Sequence, residues 1–123
     1  MSKLRLAISL DCADPLSLSN FWATLLDGEM LRSTDEVAIV KVDPLLLLVA
    51  MRVKDYVPPT WPEGPVPKQA HIDVEVDDLD KAAKRAISLG AARAQSQQSP
   101  DRFIVLFDPA GHPFCLSTQF PTK

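Results

Sequence analysis

The sequence predicts an α+β fold made of two tandem βαβββ modules that form a curved mixed sheet around a cleft. Three observations predict it. A strand, a helix and a strand meander occur twice, offset by about 64 residues. An aspartate placed to cap a helix and an Asp-Pro turn recur in the same order in both halves. Eleven prolines stand against only four glycines, and five of those prolines, Pro58, Pro59, Pro62, Pro65 and Pro67, separate the two halves. Module one is expected over about 3–54, a Pro-rich linker over about 55–68 and module two over about 69–119, all within one domain.

In the first half, Leu4, Leu6, Ile8, Leu10 and Cys12 alternate with Arg5, Ala7, Ser9 and Asp11, the period-two pattern of a strand. Asp14 is a helix cap, with Pro15 at the first helical position. Leu18, Phe21, Trp22, Leu25 and Leu26 then make one apolar stripe, and Gly28 stops the helix. A weaker strand is expected at 30–34. Val37–Val42 and Leu45–Val53 read as strands joined by the Asp43-Pro44 turn.

The second half follows the same plan. His71–Val76 alternates, and Asp78 caps a helix carrying Leu79, Ala82, Ala83, Ala86, Ile87 and Leu89 that ends at Gly90. Ala92–Gln95 is a short strand. Phe103–Phe107 and Phe114–Thr118 flank the turn Asp108-Pro109-Ala110-Gly111-His112. The first strand of each half is expected to pack one face on its own helix. The other faces carry Arg5, Ala7, Ser9 and Asp11 in one half and His71, Asp73 and Glu75 in the other. Unpaired charge is costly in a dry core, so these faces should line a wet groove or ligand cavity.

Composition narrows the function. Thirteen Lys and Arg against sixteen Asp and Glu give a net charge of −3, which argues against a nucleic-acid partner. The longest apolar run, Leu45–Met51, falls far short of the ~20 residues that cross a bilayer, so no membrane role is expected. Asp11 and Asp14 interrupt what would be the apolar stretch of a signal peptide, and the expected location is cytoplasmic. Two cysteines, Cys12 and Cys115, are there expected to be reduced.

The strand ending LDCADP, the Phe-Trp helix, the strand AHIDVEVDD and the closing DPAGHPFCL together resemble the vicinal-oxygen-chelate superfamily, in its glyoxalase-like branch. Glyoxalase I, bleomycin-resistance proteins and extradiol dioxygenases belong to that superfamily, and the resemblance runs from Leu4 to Ser117. It implies paired modules and, in the metalloenzymes, a divalent metal held from four positions. Those positions fall here on Ala7, Ala50 (or Val49 or Met51 in an adjacent register), His71 and Cys115. Only His71 keeps a standard ligand, and such centres need three or more protein groups, so no metal and no cofactor is expected.

The candidate ligand-binding residues are Arg5, Ser9, Trp61, His71, Asp73 and Cys115, with no catalytic residue assigned. His71 has three readings: binding or acid–base work, a hydrogen bond to a loop, or metal ligation. Same-face neighbours on a strand stand about 7 Å apart, so Asp73 is expected to reach His71 only through water or a bend. Arg5 pairs with a carboxylate or anchors an anion. Trp61, in YVPPTWPEGPVP, is a lid, a partner contact or a plug of its own groove. Cys115 is an inert apolar residue or a reactive one, while Phe21, Trp22 and Cys12 read as core. The functional expectation is a small-molecule-binding protein taking an aromatic or hydrophobic ligand, and a homodimer that covers Leu45–Met51. The alternative is a lyase or isomerase using His71 as acid–base group or metal ligand.

Overall fold

Short strands need a partner, and the pairing divides this chain into two compact units that meet between Tyr56 and Val57. The structure, a computed structural model, describes residues 4–121. The first unit runs β1 (Leu6–Cys12), α1 (Pro15–Leu25), β2 (Glu29–Ser33), β3 (Val37–Asp43) and β4 (Leu46–Arg52). Its sheet has the order β1-β4-β3-β2, parallel between β1 and β4 and antiparallel elsewhere. The second unit runs β5 (Ile72–Glu75), α2 (Leu79–Ser88), β6 (Ala92–Arg93), β7 (Phe103–Phe107) and β8 (Pro113–Ser117). Its order is β5-β8-β7-β6, with β5 and β8 parallel, so both predicted βαβββ modules are present.

Both helices start as the sequence dictates. The Asp14 carboxylate accepts the Ser17 N–H at 3.2 Å, and the Asp78 carboxylate accepts the Lys81 N–H at 3.1 Å. Each aspartate so satisfies one of the donors a helix start leaves open. In the Asp108 turn, the buried carboxylate accepts from the backbone N–H groups of Ala110 (3.0 Å) and His112 (2.9 Å). Gly111 has φ of 88°, and a Cβ there would lie 2.7 Å from the Pro58 Cβ. That close approach fixes where the proline segment crosses its own unit.

The core departs from expectation at β1. α1 lies over β2, β3 and β4, and buries Leu18, Phe21 and Trp22 against Val40, Leu48 and Ala50. It does not cover β1 along its length. Cys12 is buried there, but Leu6 is 63% and Ile8 41% exposed. The physical reason is geometric: α1 is centred on β3 with β2 and β4 on either side, and β1 is the edge strand beyond β4. In the second unit α2 packs on β7 and β8, burying Ala83 and Ala86 against Ile104, Leu106, Phe114 and Leu116.

The short β6 has a side-chain substitute. The Gln97 amide donates to the carbonyls of Ala94 and Val105, both at 2.8 Å, and its Oε1 accepts the Val105 N–H at 2.9 Å. It thus closes the free side of β7 where β6 has already ended. Gln97→Ala should leave the buried Val105 N–H unpaired and cost roughly 1–3 kcal/mol, read as a lower urea midpoint.

Candidate functional site

The site follows from strand parity in the second unit. On β8, Phe114 and Leu116 face α2, so Cys115 and Ser117 face the other way. On β7 the same alternation turns Phe103, Val105 and Phe107 to that side. Register then puts Asp73, Cys115 and Val105 side by side across β5, β8 and β7. His71, two residues before Asp73, joins the same face.

The proline segment forms the opposite wall. The Thr60 N–H donates to the Val66 carbonyl at 2.6 Å, and the Thr60 hydroxyl donates to the same oxygen at 3.1 Å, closing a loop. Gly64 sits inside it at φ 145°, where a Cβ would lie 2.6 Å from the Thr60 hydroxyl. Trp61 projects from this loop onto the buried cluster of Ala94, Val105 and Cys115, and its indole N–H donates to the Ser96 carbonyl at 3.2 Å. The Lys68 ammonium lies 5.0 Å from the indole centroid, a cation–π distance. Between wall and sheet is a cleft of about 690 Å³, in which Trp61, Phe103 and Phe120 supply aromatic surface.

The polar floor is a chain of three groups. His71 Nε2 and Asp73 Oδ1 are 3.2 Å apart. Of the two expected routes, water or a bend, the contact is direct: His71 lies just before β5 begins, off the regular strand, and its imidazole reaches along to the carboxylate. Beside them, Cys115 is buried, and its thiol is pushed up from 9.0 to about 11. Burial contributes most, then the negative charge of Asp73 and a hydrogen bond to it, while Lys68 works in the opposite direction. The Asp73 carboxylate therefore neighbours both the imidazole and the thiol. Nucleophilic cysteines need the imidazole next to the sulfur, so that the thiolate forms near neutral pH. Here burial, first, and then Asp73 favour the proton on sulfur.

Of the predicted site residues, Trp61, His71, Asp73 and Cys115 all line this cleft. Arg5, just ahead of β1, and Ser9, within it, are exposed residues that belong to the first unit, whereas this cleft is built from the second. Sequence reasoning missed Phe103 and Lys68. Phe103 was legible from the parity of a strand whose two faces are both apolar; Lys68, in an irregular segment, had no periodicity to mark it.

A glyoxalase-like domain model matches residues 7–117. No curated protein sequence matches. Among solved structures, the fosfomycin resistance protein FosX from Mesorhizobium loti aligns with a TM-score of 0.69 at 18% identity, covering 98% of this chain and 94% of that one. The bleomycin-binding protein of Streptomyces verticillus, complexed with copper(II)-bleomycin, gives 0.61 at 18% identity, covering 98% and 99%. Leishmania major glyoxalase I gives 0.62 at 17%, covering 96% and 88%. These likenesses are of fold. The four-position metal centre that the resemblance implies does not fit the residues present, because Ala7 and Ala50 carry only methyl groups and have no donor atom to offer.

Proposed function

From the premise that the chain belongs to the glyoxalase-like domain family, we propose that it binds a small organic molecule in the cleft of its second unit. The observation that carries this reading is the pairing of an aromatic wall with a compact polar floor. Trp61, Phe103 and Phe120 offer flat apolar surface, while His71 and Asp73 offer one hydrogen-bonded pair at its base. Small-molecule sites combine mostly apolar lining with a few convergent polar groups, and a volume of about 690 Å³ lies in their usual range. The ligand has an aromatic or hydrophobic part against Trp61 and a polar end near His71. The fold is compatible with small-molecule binding: one neighbour is a fosfomycin resistance protein and another is a bleomycin-binding protein.

A second reading, a lyase or isomerase with His71 as acid–base group, is favoured by one feature. His71 is about a third exposed at the cleft, so a substrate reaches it, and Asp73 fixes its ring. We read the working form as a cytoplasmic homodimer. Two buried cysteines outside any disulfide support a reducing compartment, and the exposed Leu6 and Ile8 support a second copy.

The test uses an aromatic anion, 8-anilinonaphthalene-1-sulfonate, as probe. It should bind with one-to-one stoichiometry and enhanced fluorescence, and Trp61→Ala should weaken binding at least tenfold while Leu6→Ser leaves it unchanged. Binding that follows Leu6 and ignores Trp61 would place the apolar site on β1 and sink the cleft reading.

A further inference from the structure

We propose that the cleft of the second unit selects aromatic organic anions, whose acid group pairs with the ammonium of Lys68. The inference deepens the ligand-cleft reading and rests on it, since a charge chooses among ligands only where ligands bind.

The backbone brings this charge to the cleft. A parallel bridge joins Thr60 to Pro67, and the residues that follow them are Trp61 and Lys68. The two side chains therefore leave the loop as neighbours, and the ammonium comes to rest 5.0 Å from the indole centroid. Among the described residues Lys68 takes part in no ion pair. A neutral indole face is a weaker counterpart for an ammonium than a carboxylate is, because a ring quadrupole attracts less than a full charge. The cation is thus held at the cleft with its strongest kind of partner still to come.

Its charge also reaches the cleft floor. Lys68 pulls the Cys115 thiol down, against burial and Asp73, which push it up. Asp73 opposes an anion, but its carboxylate already has the His71 imidazole at 3.2 Å, and Lys68 acts on the same floor. Neutral donors stand nearby. The Gln98 side-chain amide makes no hydrogen bond among the described residues, and the Ser117 hydroxyl, which accepts the Gln119 N–H at 3.0 Å, keeps its own proton to donate. The oxygens of an acid group can accept from more than one of these donors. A cationic ligand fits worse, because Lys68 already occupies the cation–π position on Trp61 and would repel it.

Two probes with one skeleton test the proposal on the full chain: 8-anilinonaphthalene-1-sulfonate, and N-phenyl-1-naphthylamine, which lacks the sulfonate. Lys68→Met keeps an apolar stem beside the indole and removes the charge. It should lower the ratio of affinities, sulfonate over neutral, about tenfold, the worth of one partly desolvated charge pair. Lys68→Arg should keep the ratio of the parent. Raising the salt from about 0.05 to 0.5 M should lower the ratio in the parent and not in Lys68→Met. A ratio that survives Lys68→Met, or a salt response equal in the two proteins, would overturn charge selection. The cleft reading would then still stand if Trp61→Ala weakened both probes. Failure of both probes to bind, or binding of both that ignores Trp61→Ala, would sink the cleft reading and this proposal with it.

Discussion

Iodoacetamide should modify Cys115 in metal-free protein about 100-fold more slowly, near neutral pH, than it modifies an unhindered thiol. The factor follows from the displacement from 9.0 to about 11, since each unit cuts the reactive thiolate tenfold. Asp73→Asn should accelerate the reaction up to about tenfold. It removes the carboxylate charge and an acceptor for the thiol proton, and leaves burial, the larger cause, in place. Peptide mapping separates Cys115 from the buried Cys12. A rate indifferent to Asp73→Asn would mean that the carboxylate is not poised on the sulfur. The same displacement has a consequence for stability. A thiol that ionises later in the folded than in the unfolded chain contributes stability below pH 9.0, and this is lost as the pH rises towards about 11. Alkaline titration should therefore lower the melting temperature of the parent chain through that window more than it lowers that of Cys115→Ser.

The carboxylate beside the sulfur adds to burial in keeping the proton on Cys115. Asp73 also stands 3.2 Å from His71 Nε2, where it steadies the imidazole ring.

Much of the architecture was legible because it was written in period and punctuation. The alternation at Leu4–Cys12 and His71–Val76, the aspartate caps at Asp14 and Asp78 and the Asp-Pro turns are local signals; the structure carries the caps and turns in place and the strands as the shorter Leu6–Cys12 and Ile72–Glu75. Packing was less legible. The alternation of β1 says that one face is apolar, but it does not say that α1 sits over β3 and β4 and leaves Leu6 open. That outcome depends on strand order, which a single sequence does not encode locally. The site divides the same way. His71 and Asp73 were placed on one face by parity, and Cys115 by the position that the family resemblance implies. Their contact depends on β5 pairing with β8 in a particular register and on His71 standing ahead of the strand. Lys68 and Gln97 act from irregular segments, where no period exists to reveal them.

Strand parity in the second unit makes its sharpest prediction on two phenylalanines. Phe114 on β8 is fully buried beneath α2, whereas Phe103 on β7 is half-buried on the cleft side. Phe114→Ala should cost about 3–5 kcal/mol, because it loses the transfer energy of a ring and opens a cavity between helix and sheet. That is a large share of the stability of a chain this size. Phe103→Ala removes a ring whose outer edge already meets solvent, so its cost should be about 1 kcal/mol. Binding should run the other way. At a temperature where both variants are folded, Phe114→Ala should retain the aromatic probe, and Phe103→Ala should weaken it severalfold by removing one of the cleft's three aromatic surfaces. Urea midpoints and probe titrations on the same samples measure both quantities. Equal destabilisation by the two substitutions would mean that the sheet does not separate a sealed helix-facing side from an open ligand-facing one. The crossed result would tie the cleft to the face of the sheet turned away from α2.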